Sequence, residues 1–196
     1  MFDLFNPTDD HKSLRELTHD LAKGVLEPQV KEYDDKEILN EALLRKMGSE
    51  YSLFGITVPA EAGGHGLDAT ASVIVHEELS YSDAAFTLSY LAHEVLFVNN
   101  LYHSAQPGLR ERYLSQVLDG SALAGMAMSE PAAGTDVLGL TTVAEKRATA
   151  IYLTVLSSGL PTVTAAATSS SMHAPKKVTA RQFRALSLRK TSRVSA

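Results

Sequence analysis

Apolar residues recur at helical spacing through most of the first 120 positions. In "NPTDDHKSLRELTHDLAKGVLEPQV" the repeat Leu14, Leu17, Leu21, Val25 predicts an amphipathic helix. Thr8 is placed to cap it, with Asp9 and Asp10 favourable in the first turn. Pro28 predicts a break or kink, because it has no N–H to give. "NEALLRKMGSEYS" reads as a short second helix with Gly48 near its end. Asp68 can cap a third helix through "ATASVIVHEELSYS". Asp83 can cap a fourth, "AAFTLSYLAHEVLFVNNLYHS", whose apolar residues occupy nearly every side and predict burial on several faces. "PGLRERYLSQVLDG" reads as a fifth, with Pro107 early and Gly120 past its end. From Ser121 the texture changes to small apolar residues, then "SEPAAGTD", then alternation in "LTTVAEK", which predicts strand, loop, strand.

Composition narrows the class. With 196 residues and 44% apolar content the chain can bury a core, and it has no cysteine, hence no disulfide and no thiol chemistry. No apolar run approaches the roughly 20 residues of a membrane span, and the acidic start "MFDLFNPTDDHK" lacks a secretory leader. A soluble intracellular protein is expected, in a bacterial cytoplasm or a mitochondrial matrix. Charge divides the chain sharply. Residues 1–145 carry 9 Lys and Arg against 23 Asp and Glu, whereas residues 146–196 carry 9 Lys and Arg and no acid. The basic clusters "PKK" and "SLRKTSR" would suit a nucleic-acid patch.

Two segments could carry chemistry. "GITVPAEAGGHGLDA" is a loop whose Gly63, Gly64 and Gly66 permit positive φ and close backbone approach, but no Gly-Lys-Ser/Thr follows, so it is not a phosphate-binding P-loop. In "MAMSEPAAGTDV", Pro131 ends regular structure, Ala132, Ala133 and Gly134 present little bulk, and Ser129 and Thr135 add hydroxyls. Such a loop brings free N–H groups up to a planar polar ring or a pyrophosphate, although an ordinary capped turn would read the same way. His76-Glu77-Glu78 and His93-Glu94 hint at a metal, but without His-Glu-x-x-His spacing no metal ligand is assigned.

"AMSEPAAGTDV" resembles the flavin-contacting signature of the acyl-CoA dehydrogenase family, and the likeness extends through "GITVPAEAGGHGLDATASVIVHEELSYSDAAFTLSYLAHEVLFVNNL" and "RERYLSQVLDGSALAG". It covers residues 1–147. "LSYLAHEVLFVNNL" looks most like the isovaleryl-CoA dehydrogenase branch. The resemblance implies a mainly α fold: an α-helical N-terminal domain over residues 1–120, then over 121–147 the truncated start of the family's middle β-domain. It implies FAD bound by Met126, Ala127, Met128, Ser129, Gly134 and Thr135, with Met128 and Ser129 at the flavin ring and Gly134 and Thr135 near the pyrophosphate. Thr135, Leu88 and Ala92 would meet the acyl-CoA, the small Ala92 leaving room for a branched acyl group as in leucine catabolism. An electron-transfer flavoprotein would take the electrons, and a homotetramer is the family's assembly. Nucleic acid and a membrane span are not expected. Two departures stand out: Ala62 replaces an aromatic residue, and Thr135 replaces serine. The family's base, a glutamate far beyond position 196, has no counterpart here, so no catalytic residue is assigned and the chain is expected to be a truncated, inactive version. The alternative is a non-catalytic helical interaction module with a basic tail.

The likeness stops at Arg147. Family members continue into Tyr-x-Leu-Asn-Gly and Trp-Ile-Thr. Both return if the codons are read in the preceding frame: "IYLTVLSSGLPTV" can decode to "YILNGSKLWITNG", with Gly159 as GGN after T giving TGG. Residues 148–196 are therefore expected to be an out-of-frame, poorly ordered basic tail, since such sequence is not selected to pack.

Overall fold

The structure is a computed structural model. It describes residues 3, 5–126, 130, 133–136, 138, 139 and 141, and the backbone of 143–147 and 150–154. Its helices are α1 (Asp9–Leu21), α2 (Glu27–Asp35), α3 (Glu41–Ser49), α4 (Ala69–Ser82), α5 (Ala84–His93), α6 (Asn100–Ser104) and α7 (Pro107–Leu118). A two-stranded antiparallel ladder follows, β1 (Val143–Arg147) with β2 (Ala150–Thr154), in a register running from Val143 opposite Thr154 to Arg147 opposite Ala150.

Capping sets the helix starts. Thr8 accepts from the His11 N–H, Asn40 from Leu43, Asp68 from Ala71 and Asp83 from Phe86, each relieving a donor that the first turn leaves unpaired. His11 joins two of these caps. Its Nδ1 lies 2.7 Å from the Thr8 hydroxyl and its Nε2 lies 3.0 Å from Asp68 Oδ1, so the starts of α1 and α4 are held together. The imidazole holds the Asp68 carboxyl below the usual range, helped by the Ala71 N–H. Further along, Arg15 and His19 of α1 bind Glu78 of α4.

Two predictions about helices need correction. Pro28 does not break the first helix. A wide π turn, Ala22–Leu26, joins α1 to α2, and Pro28 falls in the first turn of α2, where its missing N–H costs nothing. Leu17 does not share the buried stripe. It is 70% exposed, while Leu14, Leu21 and Val25 pack on the core and Thr18 takes the buried place beside them. The Thr18 hydroxyl is accommodated because it donates to the Leu14 carbonyl at 2.8 Å.

The apolar fourth helix is also not covered all round. It runs through α5, a π segment (Glu94–Asn99) and α6. Tyr90, Ala92, Phe97, Val98 and Leu101 are buried, but Leu88, Val95 and Leu96 remain substantially exposed. Two core clusters result. One is centred on Leu26, Leu44, Met47, Leu79 and Tyr90, the other on Val58, Phe97, Val98, Leu114 and Val117.

From Ser121 the first predicted strand is not formed over 121–126, which is irregular; 127–129 lie outside the described residues. The second is β1, which covers the end of the alternating run and Arg147. Its partner β2 lies beyond Arg147, so hairpin pairing continues past the point where the family likeness ends. Residues 155–196 lie outside the described residues.

Glycine 48 sits where α3 meets the end of α7. A Cβ there would stand 2.6 Å from the Phe54 ring and 2.7 Å from the Leu118 carbonyl. Around Gly24, inside the π turn, a Cβ would meet nothing within 4 Å. Gly48→Ala is therefore expected to destabilise the fold by about 1–3 kcal/mol, whereas Gly24→Ala is neutral or stabilising by up to about 1 kcal/mol. Urea unfolding of the two variants beside the parent checks the pair; equal effects would contradict the packing at Gly48.

Candidate functional site

Three neighbouring residues of one helix organise the site. Tyr90 is fully buried and its hydroxyl donates to the Leu53 carbonyl, and burial raises its phenol well above the ordinary value. His93 is 0% exposed. Its Nδ1 accepts from the Ala124 N–H at 3.0 Å, which leaves Nε2 to donate to the Val117 carbonyl at 2.9 Å. Burial pushes this imidazole down to about 4, so it is neutral. Glu94 accepts from the N–H groups of Gly55 and Ile56 at 2.7 and 2.8 Å, and burial raises it to about 7 against those two bonds. The histidine–glutamate pair that hinted at a metal is thus occupied with backbone. His76 donates from Nδ1 to the Ser72 carbonyl at 2.6 Å and stacks at an angle on Tyr90.

The glycine loop is locked onto this helix. Gly55 has φ 76° and its carbonyl accepts from Val58 and His65, while Gly64 packs so close to Val58 and Gly55 that a Cβ has no room. Gly63 and Gly66 also take positive φ. Both properties expected of this loop are therefore used.

The "SEPAAGTD" segment is built on its two acids. Glu130 and Ala133 exchange backbone hydrogen bonds of 3.0 and 3.1 Å, which turns the chain back on itself. The Glu130 carboxylate, largely buried, accepts from both the N–H and the hydroxyl of Thr141 at 2.8 and 2.7 Å. Asp136 accepts from the N–H groups of Leu138 and Gly139, an Asx-type turn. Sequence reasoning missed both roles. The signal available was two acids flanking a run of small residues whose backbone needs acceptors.

Between these braces, Gly134 and Thr135 are exposed, and a Cβ at Gly134 would meet nothing within 4 Å. Among the described residues, neither their N–H groups nor the Thr135 hydroxyl has a partner. An open stretch of two free N–H groups and a hydroxyl suits an anionic oxygen such as a pyrophosphate presents, so these residues fit the cofactor the sequence suggests. Met126 is partly buried at the entrance to the segment; Ala127, Met128 and Ser129 lie outside the described residues. Leu88 is 53% exposed on α5, and Ala92, one turn on, is 2% exposed. The two are therefore not equally open to a ligand.

Comparison with known proteins decides the family. The model of the acyl-CoA dehydrogenase N-terminal domain matches residues 8–121. The chain belongs to the acyl-CoA dehydrogenase family. It is 34% identical over 140 residues to mitochondrial isovaleryl-CoA dehydrogenase of Bos taurus, covering 71% of this chain and 33% of that enzyme. The chain thus spans about a third of the length of the curated relatives it matches. Among solved structures it superposes on butyryl-CoA dehydrogenase from Megasphaera elsdenii with TM-score 0.69 at 28% identity, covering 79% of this chain and 40% of that one. An acyl-CoA dehydrogenase from Bacillus anthracis complexed with FAD gives TM-score 0.66 at 28% identity, covering 76% and 26%. The helical architecture is the family's, and FAD is the family's cofactor. Among the described residues no helix is long and apolar enough to cross a membrane.

His93 generates a pH prediction. Its folded value lies below the unfolded 6.5, so between about 6.5 and 4 the unfolded chain holds the extra proton and acid removes stability. His93→Gln abolishes that contribution. The stability advantage of the parent over this variant is expected to shrink by about 2 kcal/mol between pH 7 and pH 5, measured by urea unfolding at both pH values. A constant difference would show that the imidazole does not titrate in this range.

Proposed function

We propose that this domain is the N-terminal part of an FAD-dependent enzyme that α,β-dehydrogenates a short branched acyl-CoA. The braced segment 130–141 carries the reading, because among the described residues the N–H groups of Gly134 and Thr135 and the Thr135 hydroxyl have no partner and stand exposed. Gly134 and Thr135 would hold the cofactor's pyrophosphate, with Met126, Ala127, Met128 and Ser129 along the ring. FAD, when bound, supplies the two-electron acceptor. Half-exposed Leu88 offers apolar surface to the acyl chain, and Ala92 keeps the next turn narrow. Thr135 also reaches toward the CoA side. The similarity to isovaleryl-CoA dehydrogenases supports a branched acyl group. Electrons would pass to an electron-transfer flavoprotein, and the whole enzyme would assemble as a homotetramer.

The organisation proposed is 1–120 for the helical domain, 121–147 for the start of the β-domain and 148–196 for an out-of-frame tail. The charge break supports it, since every one of the 23 acids precedes residue 146. The hairpin partner β2 lies where the preceding frame would also encode an alternating strand.

Two measurements test these readings separately. DNA sequence downstream of the Glu145 codon, read in all three frames, is expected to encode Trp-Ile-Thr opposite positions 159–161; its absence from every frame overturns the frameshift and makes 148–196 a true basic tail. With the frame restored, the protein is expected to hold FAD and reduce a dye with isovaleryl-CoA faster than with straight-chain acyl-CoA. No acyl-CoA-dependent reduction by the FAD-loaded protein overturns the activity. In that enzyme Thr135→Val is expected to weaken FAD by about tenfold, the worth of one hydrogen bond.

A further inference from the structure

We propose that Glu94 is a positioning residue whose ionised carboxylate fixes the Gly55–Ile56 turn to the helix bearing Leu88 and Ala92, and that proton uptake by this carboxylate loosens the turn. The inference goes beyond the enzymatic reading and holds whatever the domain binds.

The geometry is that of a two-point clamp. Each carboxylate oxygen accepts one backbone N–H, Oε2 from Gly55 at 2.7 Å and Oε1 from Ile56 at 2.8 Å, across 39 and 38 residues of chain. Both donors belong to a turn that no helix or strand can pair. Gly55 is the pivot of the glycine loop, because its carbonyl holds the N–H groups of Val58 and His65. A shift at Gly55 therefore moves the loop through residue 65. On the helix side Glu94 opens the π segment Glu94–Asn99. That wide turn lies at the C-terminal end of α5, two residues after Ala92, and wide turns of this kind recur at functional positions in helices.

Protonation changes the chemistry of the clamp. A carboxylate offers two acceptors, one to Gly55 and one to Ile56; a carboxylic acid turns one of those oxygens into a donor facing an N–H. One of two buried N–H groups then loses most of its partner. Among the described residues no opposite charge pairs with the carboxylate. On its own helix the titratable neighbours are Tyr90 and His93, both neutral. The turn 52–58 contains no ionisable side chain. Tyr102 and His103 of α6, and Arg110, Glu111, Arg112 and Tyr113 of α7, make no ion pair or hydrogen bond with it; Arg110 and Arg112 lie over the Tyr102 and Tyr113 rings instead. Arg45 of α3 bonds to Glu41 and to the carbonyls of Gly120 and Ser121. Burial thus dominates and lifts Glu94 to about 7, into the range where a proton is exchanged near neutrality.

The test uses the full 196-residue chain and two NMR readouts. The side-chain carboxyl carbon of Glu94 is titrated, and amide protection of Gly55 and Ile56 is compared with that of Val75 and Leu79 in the α4 core. A Glu94 midpoint near 7 is expected, with protection of Gly55 and Ile56 falling about tenfold between pH 8 and pH 6 relative to Val75 and Leu79, as one hydrogen bond to a charged acceptor is lost. Glu94→Gln keeps one carbonyl acceptor and removes the titration, so the relative protection should become independent of pH. A midpoint in the ordinary carboxylate range, or Gly55 and Ile56 tracking the core amides at every pH, overturns the clamp. If the variant does not fold, the parent's own titration and protection profile decide. Neither readout involves FAD or acyl-CoA, so failure here and failure of the proposed activity are separate results.

Discussion

Backbone groups that no helix or strand can pair are taken up by three buried side chains at one end of α5, and the arrangement of this domain depends on them. Tyr90 holds the Leu53 carbonyl, Glu94 the N–H groups of Gly55 and Ile56, and His93 both the end of α7 and the segment leaving it at Ala124. A loop buried against a helix carries polar groups that water cannot reach, and each left unpaired would cost about 1–3 kcal/mol. Three side chains within five positions satisfy five such groups. One helix can supply all three without distortion, and its register widens only from Glu94 onward. In a regular α-helix, residues 90, 93 and 94 already share a face, and the π segment carries the apolar residues Phe97, Val98 and Leu101 into the second core cluster.

His93 and Glu94 are burdened in opposite directions by the same burial. Low dielectric disfavours whichever form is charged, so the imidazole is pushed down to about 4 and the carboxyl up to about 7. Between about 4.5 and 6.5 the native state refuses a proton at His93 and keeps one at Glu94. Acidification across that window removes stability through the histidine and restores it through the glutamate. The two contributions offset, and adjacent buried titratable groups leave little net slope from this pair. Each group thereby conceals the other, and a flat stability profile would be no evidence that both are inert.

Much of the fold was legible because its signals are local. A cap needs only one oxygen at the right place, so Thr8, Asp68 and Asp83 could be read off the chain, as could glycines where φ must be positive or space is absent. What failed depended on neighbours distant in sequence. Leu17 has the spacing of a core residue, but the α1 face turned to α4 is completed by Thr18, so the leucine points outward. The apolar helix at 84–104 contains enough apolar residues for burial all round, yet Leu88, Val95 and Leu96 are only partly covered among the described residues. Neither π turn leaves a mark in composition. At Pro28 the sequence announces a missing donor, but not that a π turn ending at the buried Leu26 precedes it. For the candidate site, residue types pointed to the segment 126–136, whereas the division of labour within it did not show. Glu130 and Asp136 carried no assigned role in the sequence, and they hold their own backbone.

That division explains why the segment needs both acids and small residues. A loop that presents free N–H groups cannot use those groups to hold itself, so its shape must be fixed by side chains elsewhere. Glu130 closes the span to Thr141 and Asp136 the turn to Gly139, and only then can Gly134 and Thr135 stay exposed and, among the described residues, unpaired. The position of this loop relative to α5 has its own anchor. The Ala124 N–H, two residues before Met126, bonds to His93, and His93 follows Ala92 on the helix that carries Leu88. One neutral imidazole therefore ties the chain entering the proposed flavin-contacting loop to the helix of the proposed acyl pocket. It does so in a single tautomer, accepting at Nδ1 and donating at Nε2, and charging it would turn an acceptor into a donor facing the Ala124 N–H. The relation between the two halves of the candidate site thus rests on a proton that burial keeps off one ring nitrogen.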